Sequence, residues 1–188
     1  MPGPGVKFVA RELGRGHQQR ETNVRDADRL KDPATGLASE WHFEILLDFF
    51  FPVAHRGVNM TLVLFGIDEG SWTEGQPNSE QQVTNLGAAI GSVTRSTDLV
   101  ARYGDDLFIC LLPLCNAQGR LIFADRIRDA ISDYTRETGT TVSAGIASYR
   151  GDDEGTKEDM LQALKGALVA AWGQGGDCVE IPKDGWNH

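Results

Sequence analysis

The 188-residue sequence predicts an α/β fold, an α+β sandwich whose mixed central β-sheet contains an antiparallel hairpin and carries helices on both faces. Three observations predict it. Helical and extended apolar patterns alternate along the chain as helix, strand, helix, hairpin, helix, strand, helix, strand. Met60-Thr-Leu-Val-Leu-Phe-Gly-Ile67 is a short, nearly unbroken apolar run, which suits a central strand buried on both faces. Gly104-Asp105-Asp106 stands between two further strand-like runs, and Gly and Asp tolerate the positive φ that short hairpin turns need.

The elements follow from local chemistry. Residues 1–31 open with Gly and Pro and show no apolar stripe beyond Val6, Phe8, Val9 and Leu13. They read as an N-terminal extension, either flexible or carrying a solvated helix over 18–30 that could pair with another copy. Residues 32–188 then form the folded domain. Asp32-Pro-Ala-Thr-Gly-Leu37 is turn chemistry, with Pro after Asp and Gly at a positive φ. Ser39 is placed to N-cap a helix containing Trp41, Phe43, Ile45, Leu46, Phe49 and Phe50, which Pro52 breaks or kinks near its end. After the strand 60–67 comes a polar loop over 71–79. Val83, Leu86, Ile90 and Val93 recur at helical spacing and predict a helix over 79–95. The hairpin follows. Leu121, Ile122, Ala124, Ile127, Ala130 and Ile131 mark a third helix, and residues 140–148 alternate as a strand. Asp152, Asp153 and Glu154 form an acidic, solvated loop. Met160, Leu161, Leu164, Ala167 and Leu168 give a fourth helix, ended by the glycines of 173–176, and residues 178–181 make a short last strand.

Composition narrows the function. Apolar content of 40% and charged content of 24% are ordinary for one globular domain. A net charge of −9 argues against a dedicated nucleic-acid binder, which needs a basic footprint. The charge is uneven: residues 1–31 hold seven Lys and Arg against four acids, so the body is strongly acidic. Cys110, Cys115 and Cys178 lack metal-type spacing, and Cys110 reads as a small buried thiol. Reduced thiols, no apolar run after Met1-Pro-Gly-Pro-Gly and a stretch at 45–54 too short to span a bilayer predict a cytoplasmic protein without membrane insertion. His17, His42, His55 and His188 are scattered and none is read as a ligand. Trp41, Trp72 and Trp172 could line a pocket, though Trp41 in a helical stripe fits a core position.

The chemistry-bearing stretch runs from Arg95 to Phe108. Asp105 and Asp106 project from the hairpin tip, with Asp98 and Arg95 close by in sequence. Such a group could be a metal site, a ligand clamp or a solvated turn.

Several blocks together resemble one family. Asp32-Pro-Ala-Thr-Gly-Leu37 with Phe43 resembles the D-x-x-T-G-L opening of GGDEF domains, the diguanylate cyclases, and Arg102-Tyr-Gly-Asp-Asp-Leu-Phe108 resembles their R-Y-G-G-D-E-F hairpin. Leu111-Leu-Pro113, Ala124-Asp-Arg-Ile-Arg128 and Thr141-Val-Ser-Ala-Gly-Ile146 match the family's later blocks in order and spacing. The resemblance covers roughly residues 32–181 and implies the nucleotidyl-cyclase-like GGDEF fold, whose members join two GTP molecules into cyclic di-GMP.

The sequence departs from that pattern where the catalysis is done. The family's Asp-x-Asp at the end of the first strand, whose first Asp binds metal, reads Gly66-Ile67-Asp68 here. In the degenerate signature Gly104, Asp105, Asp106, Leu107 and Phe108, Asp105 replaces a glycine that lets substrate approach, and Leu107 replaces the Glu. The family's guanine-reading Asn and Asp fall near Glu74 and Val83, and its phosphate-contacting Lys and Arg appear as Trp172 and Gly176. Phosphoryl transfer needs metal ions to neutralise phosphate charge, so the expectation is no catalytic residue, no metal site, no Mg²⁺ and no cyclase activity. Arg95-Ser-Thr-Asp98 stands at the family's inhibitory R-x-x-D site. The resemblance there implies cyclic di-GMP as ligand, bound by Arg95 and Asp98, with Arg126 supplying a second arginine and Arg128 a neighbour able to substitute. Arginine suits guanine because its planar fork can donate to O6 and N7 and its face can stack. The expected role is a cyclic di-GMP receptor in signalling, with a homodimer or an unnamed protein effector as partner. A nucleotide-independent interaction scaffold and a residual nucleotidyl enzyme using Asp68 and Asp106 are the alternatives.

Overall fold

A computed structural model of the protein describes residues 29–68, 79–135, 139–151, 154–183 and 186. The elements are α1 (Glu40–Ala54), β1 (Met60–Ile67), α2 (Ser79–Val93), β2 (Leu99–Arg102), β3 (Leu107–Pro113), α3 (Ala117–Thr135), β4 (Val142–Tyr149), α4 (Lys157–Gly173) and β5 (Val179–Glu180). This is the order read from the sequence. The strands lie as β2-β3-β1-β4-β5. All neighbours are antiparallel except β4 and β5, so the sheet is mixed.

β1 sits at the centre with all eight residues buried. Its side chains alternate between two cores. Val63, Phe65 and Ile67 join Val83, Leu86 and Ile90 of α2 and Phe123, Ile127 and Ile131 of α3. Met60, Leu62 and Leu64 join Phe43, Leu47 and Phe51 of α1 and Met160, Leu164 and Leu168 of α4. Each of these β1 side chains gains roughly 1.5–3 kcal/mol from burial. That double demand explains why the strand reads as an unbroken apolar run rather than an alternating one. Cys110 is fully buried in the α2/α3 core, and all three cysteines are free thiols.

The local signals fared unevenly. Ser39 caps α1 as expected, its Oγ accepting from the His42 amide at 3.1 Å. Gly36 has φ 71° in the turn before it. Pro52 lies inside α1, which ends two residues beyond it at Ala54, close to where the break was expected; the N–H it lacks is the one that would donate to the Asp48 carbonyl four residues back. Trp41 is not a core residue; it is half-buried, with the Arg29 guanidinium 4.7 Å from its ring centroid. α2 ends at Val93, two residues early, and β4 begins two residues later than the alternation suggested. α3 reaches beyond its apolar stripe to Ala117–Thr135, its first turn held by the Asn116 side chain accepting from the Gly119 amide. The helix expected over 18–30 lies outside the described residues up to 28, as do Asp152 and Asp153.

Candidate functional site

The hairpin joining β2 to β3 is closed by the Tyr103 amide donating to the Leu107 carbonyl at 2.8 Å. Gly104, Asp105 and Asp106 all keep negative φ, contrary to the positive φ that the Gly-Asp-Asp pattern suggested. A side chain shapes the turn instead. Arg102 donates from Nε to the Gly104 carbonyl at 3.1 Å and from Nη2 to the Asp105 carbonyl at 3.0 Å. Its Nη1 pairs with Asp32 at 3.5 Å. The other Asp32 oxygen accepts from the Thr35 amide and hydroxyl at 2.8 and 2.7 Å. One guanidinium thus ties the hairpin tip to the Asp32–Leu37 turn, 70 residues earlier in the chain. That turn is also fixed to the sheet edge, where the Ala38 amide donates to Val100 and the Arg102 amide to Ala38. Tyr103 packs edge-on against Phe43 of α1, and burial, then Glu40 and Glu44, push its hydroxyl up to about 12.

Asp106 is partly buried beside this clamp. Burial raises its carboxyl above the ordinary range, Asp105 raises it further, and Arg102 opposes both.

At the end of β1, Gly66 lies directly opposite Leu107 of β3 and Ser143 of β4. A Cβ added at Gly66 would stand 2.4 Å from Cζ2 of Trp172, 3.1 Å from Leu107 and 3.2 Å from Leu168. The Trp172 indole therefore occupies the volume that any side chain at position 66 would need. Asp68, 4% exposed, accepts from the Asp177 amide at 2.8 Å, and its own amide donates to the Thr141 carbonyl. Its carboxylate abuts Gly176, where a Cβ would fall 2.7 Å away. Asp68 is bound into the loop after α4. Among the described residues no group of three or more His, Cys, Asp or Glu is placed to hold a metal ion. Val83 is a buried residue of α2, and Glu74 and Trp72 lie outside the described residues.

The second cluster stands beyond the end of α2. The Asp98 carboxylate accepts from the Arg95 amide at 2.9 Å and from the Thr97 hydroxyl at 3.3 Å, while the Asp98 amide donates to the Arg95 carbonyl at 3.0 Å. These bonds fix the four-residue turn and leave the Arg95 side chain exposed. Among the described residues the Arg95 guanidinium forms no ion pair or hydrogen bond. Arg126 of α3, also exposed, donates from Nη2 to the Val93 carbonyl, which brings it to the same helix end.

Arg128 goes elsewhere. Two residues along a helix rotate a side chain by about 200°, and Arg128 lines a cavity of about 670 Å³ with Asp125, Asp129, Thr141 and Asp177. Arg126 thus reaches the Val93 carbonyl, two residues before Arg95, while Arg128 lines the cavity beside β4. Asp105, Asp106 and Leu107 form a separate group around the Arg102 clamp. Two contacts were invisible to sequence reasoning: Trp172 on Gly66 and Arg102 on Asp32. The residue types were noticed, yet nothing in a linear spacing pairs positions so far apart.

A five-stranded mixed sheet with two helices on each face is the fold of solved GGDEF domains. The GGDEF domain of DgcB from Caulobacter crescentus, solved in complex with c-di-GMP, superposes with a TM-score of 0.71 at 23% identity, covering 89% of this chain and all of that one. The GGDEF domain of FimX from Pseudomonas aeruginosa gives a TM-score of 0.71 at 19% identity, covering 80% and 98%. The family described as "Diguanylate cyclase, GGDEF domain" matches residues 29–178, so the chain belongs to the GGDEF family. Diguanylate cyclase A of Treponema denticola is 26% identical over 155 residues, 77% of this chain and 42% of its own length. The probable diguanylate cyclase DgcE of Escherichia coli is 33% identical over 141 residues, 70% of this chain and 13% of its own. The chain thus spans less than half the length of these relatives.

Proposed function

We propose that this GGDEF domain is a cyclic di-GMP receptor without cyclase activity, binding through Arg95 and Asp98 with Arg126 assisting. The observation that carries the reading is the exposed Arg95 guanidinium, which makes no ion pair or hydrogen bond among the described residues and is set on a turn fixed by Asp98. A planar donor fork kept available in this way suits the O6/N7 edge of guanine. That a GGDEF domain of the same fold was solved with c-di-GMP supports the choice of ligand.

The residues at the catalytic end do not fit the metal that the family's chemistry uses. Gly66 and Leu107 offer no ligand, and the indole of Trp172 fills the space above Gly66. Asp68 accepts from the loop after α4, and Asp105 adds charge that would repel a triphosphate. Single electrostatic contacts are worth roughly 10²–10³ in rate, so these losses together argue against turnover. Arg128, separated from Arg95, is not part of the proposed clamp.

Titration of the wild type with cyclic di-GMP by calorimetry is expected to give micromolar or tighter binding that Arg95→Ala abolishes. Absence of heat with the wild type sinks the receptor reading. The scaffold alternative is favoured by one feature: the Asp98 carboxylate already accepts two local bonds and would have to share them with guanine. The residual-enzyme alternative is tested by incubation with GTP or ATP and Mg²⁺ or Mn²⁺, where no nucleotide product is expected.

A further inference from the structure

α1 carries an apolar stripe on its outer side. Trp41, Ile45 and Phe49 recur every four residues, and Ile45 and Phe49 remain 43% and 64% exposed. Glu40, Glu44 and Asp48 run beside it on the same helix. A single exposed apolar residue is ordinary, but a contiguous row marks a surface that is covered by something.

The chain itself is delivered to the head of this row. The Arg29 guanidinium lies 4.7 Å from the centroid of the Trp41 ring. The Ser39 hydroxyl donates to the Arg29 carbonyl at 2.5 Å, and the Ser39 amide to the Leu30 carbonyl at 3.0 Å. His42 Nδ1 stands 3.1 Å from the same Leu30 carbonyl. Arg29 and Leu30 therefore lie against the first turn of α1, at its aromatic end.

We propose that residues 6–13 of the same chain dock along the Trp41, Ile45 and Phe49 row. Val6, Val9, Ala10 and Leu13 fall at i, i+3, i+4 and i+7, one apolar face of a helix, and Lys7 and Arg11 flank it four residues apart. The α1 row is the complement, apolar with the Glu44 carboxylate alongside, Asp48 being already paired with Lys157 of α4. The lengths agree: Trp41 to Phe49 spans about 12 Å at 1.5 Å per residue, and 6–13 wound as a helix spans about 10 Å. The intervening residues 14–28 reach up to about 50 Å when extended, far more than the distance to be crossed. A short tether presents its end at an effective concentration in the millimolar range, which favours the chain's own segment over a second copy at micromolar concentration. Docking at this row needs no nucleotide.

Hydrogen exchange on the full chain tests the pairing. Amides of residues 6–13 are expected to exchange at least tenfold more slowly than unstructured chain, at a rate independent of protein concentration. In Ile45→Glu/Phe49→Glu that protection is expected to disappear, while the amides of β1, β3 and β4 stay protected because both sites lie outside the core. Val9→Glu/Leu13→Glu should lose it equally. Wild-type residues 6–13 exchanging at free-chain rates would overturn the proposal. So would protection that survives in the α1 variant, which would place the segment elsewhere. Protection that rises with concentration alongside a dimer mass in sedimentation velocity would overturn it in favour of a second copy.

Discussion

The end of β1 and the turn after α2 belong to one domain, yet they have been closed and kept open respectively. At Gly66 the backbone is covered by Trp172, Leu107 and Leu168, and the neighbouring Asp68 is held by the Asp177 amide. At Arg95 the backbone is just as well fixed, by Asp98, but the charged side chain it presents points to solvent. The difference teaches that rigidity and occupancy are separate properties of a site. A side chain whose neighbours satisfy it has little left for a ligand, whereas a fixed turn with an unsatisfied guanidinium retains its donors for one.

The largest expected effect breaks the closed end. Gly66→Asp pushes a carboxylate into the indole and should cost about 3 kcal/mol or more, since overpacking alone costs 1–3 and an unpaired buried charge adds to it. Urea unfolding measures this. The double variant Gly66→Asp/Trp172→Ala should be less destabilised than the sum of its parts, because removing the indole makes the room; strict additivity would mean that the two residues do not compete for one volume.

Arg102→Ala comes next. It removes both bonds that gather the Gly104 and Asp105 carbonyls and the pair with Asp32, and about 1–3 kcal/mol is the expected loss. Exchange of the Tyr103 amide should speed up with it. An unchanged denaturation midpoint would show that the turn stands without its clamp.

Asp106→Asn gives a smaller effect with a sign. The Asp106 carboxyl is raised in the folded state by burial and by Asp105. Its charged form therefore opposes folding, and stability is lost as pH rises through the raised value. The Asn variant should melt higher than wild type at pH 7, with the gain fading as pH falls through the raised value and vanishing below the ordinary carboxyl range. A gain that persists at pH 3 would mean a cause other than charge. Smallest of all is the stability change in Arg95→Ala, within about 0.5 kcal/mol as for other exposed sites, so any loss of cyclic di-GMP binding there reports on the ligand rather than on folding.

Much of the fold was legible because its signals are local or periodic. β1 announced itself as a doubly buried strand by an unbroken apolar run, and α4 by Met160, Leu164, Ala167 and Leu168 at helical spacing. The hairpin was legible in place but not in conformation, since the Gly-Asp-Asp tip is shaped by Arg102 and not by glycine's backbone freedom. Pro52 marked the end of α1 only to within two residues, because a proline disturbs the turn before it and leaves its own N-terminal neighbours, not its successors, short of a donor. For the candidate site, sequence showed that Gly66 and Trp172 were unusual residues at their positions. It could not show that one fills the space left by the other, because packing joins residues that the chain keeps 106 positions apart. Arg126 and Arg128 were likewise neighbours in sequence and parted only by the turn of α3.

The short hydrogen-bonded piece at Ala38 has a consequence for how copies of this protein meet. A sheet ending in bare amides and carbonyls invites a strand from another molecule. Here Ala38 takes the Val100 carbonyl and the Arg102 amide on the β2 side. On the far side, β5 and the Trp186 carbonyl take the Ala144, Gly145 and Ser148 positions of β4. Among the described residues both margins of the sheet are thereby hemmed by segments too short to template a growing ladder. Any self-association would then proceed through side chains on the helices, where single substitutions can switch it off, rather than through backbone pairing, where they could not.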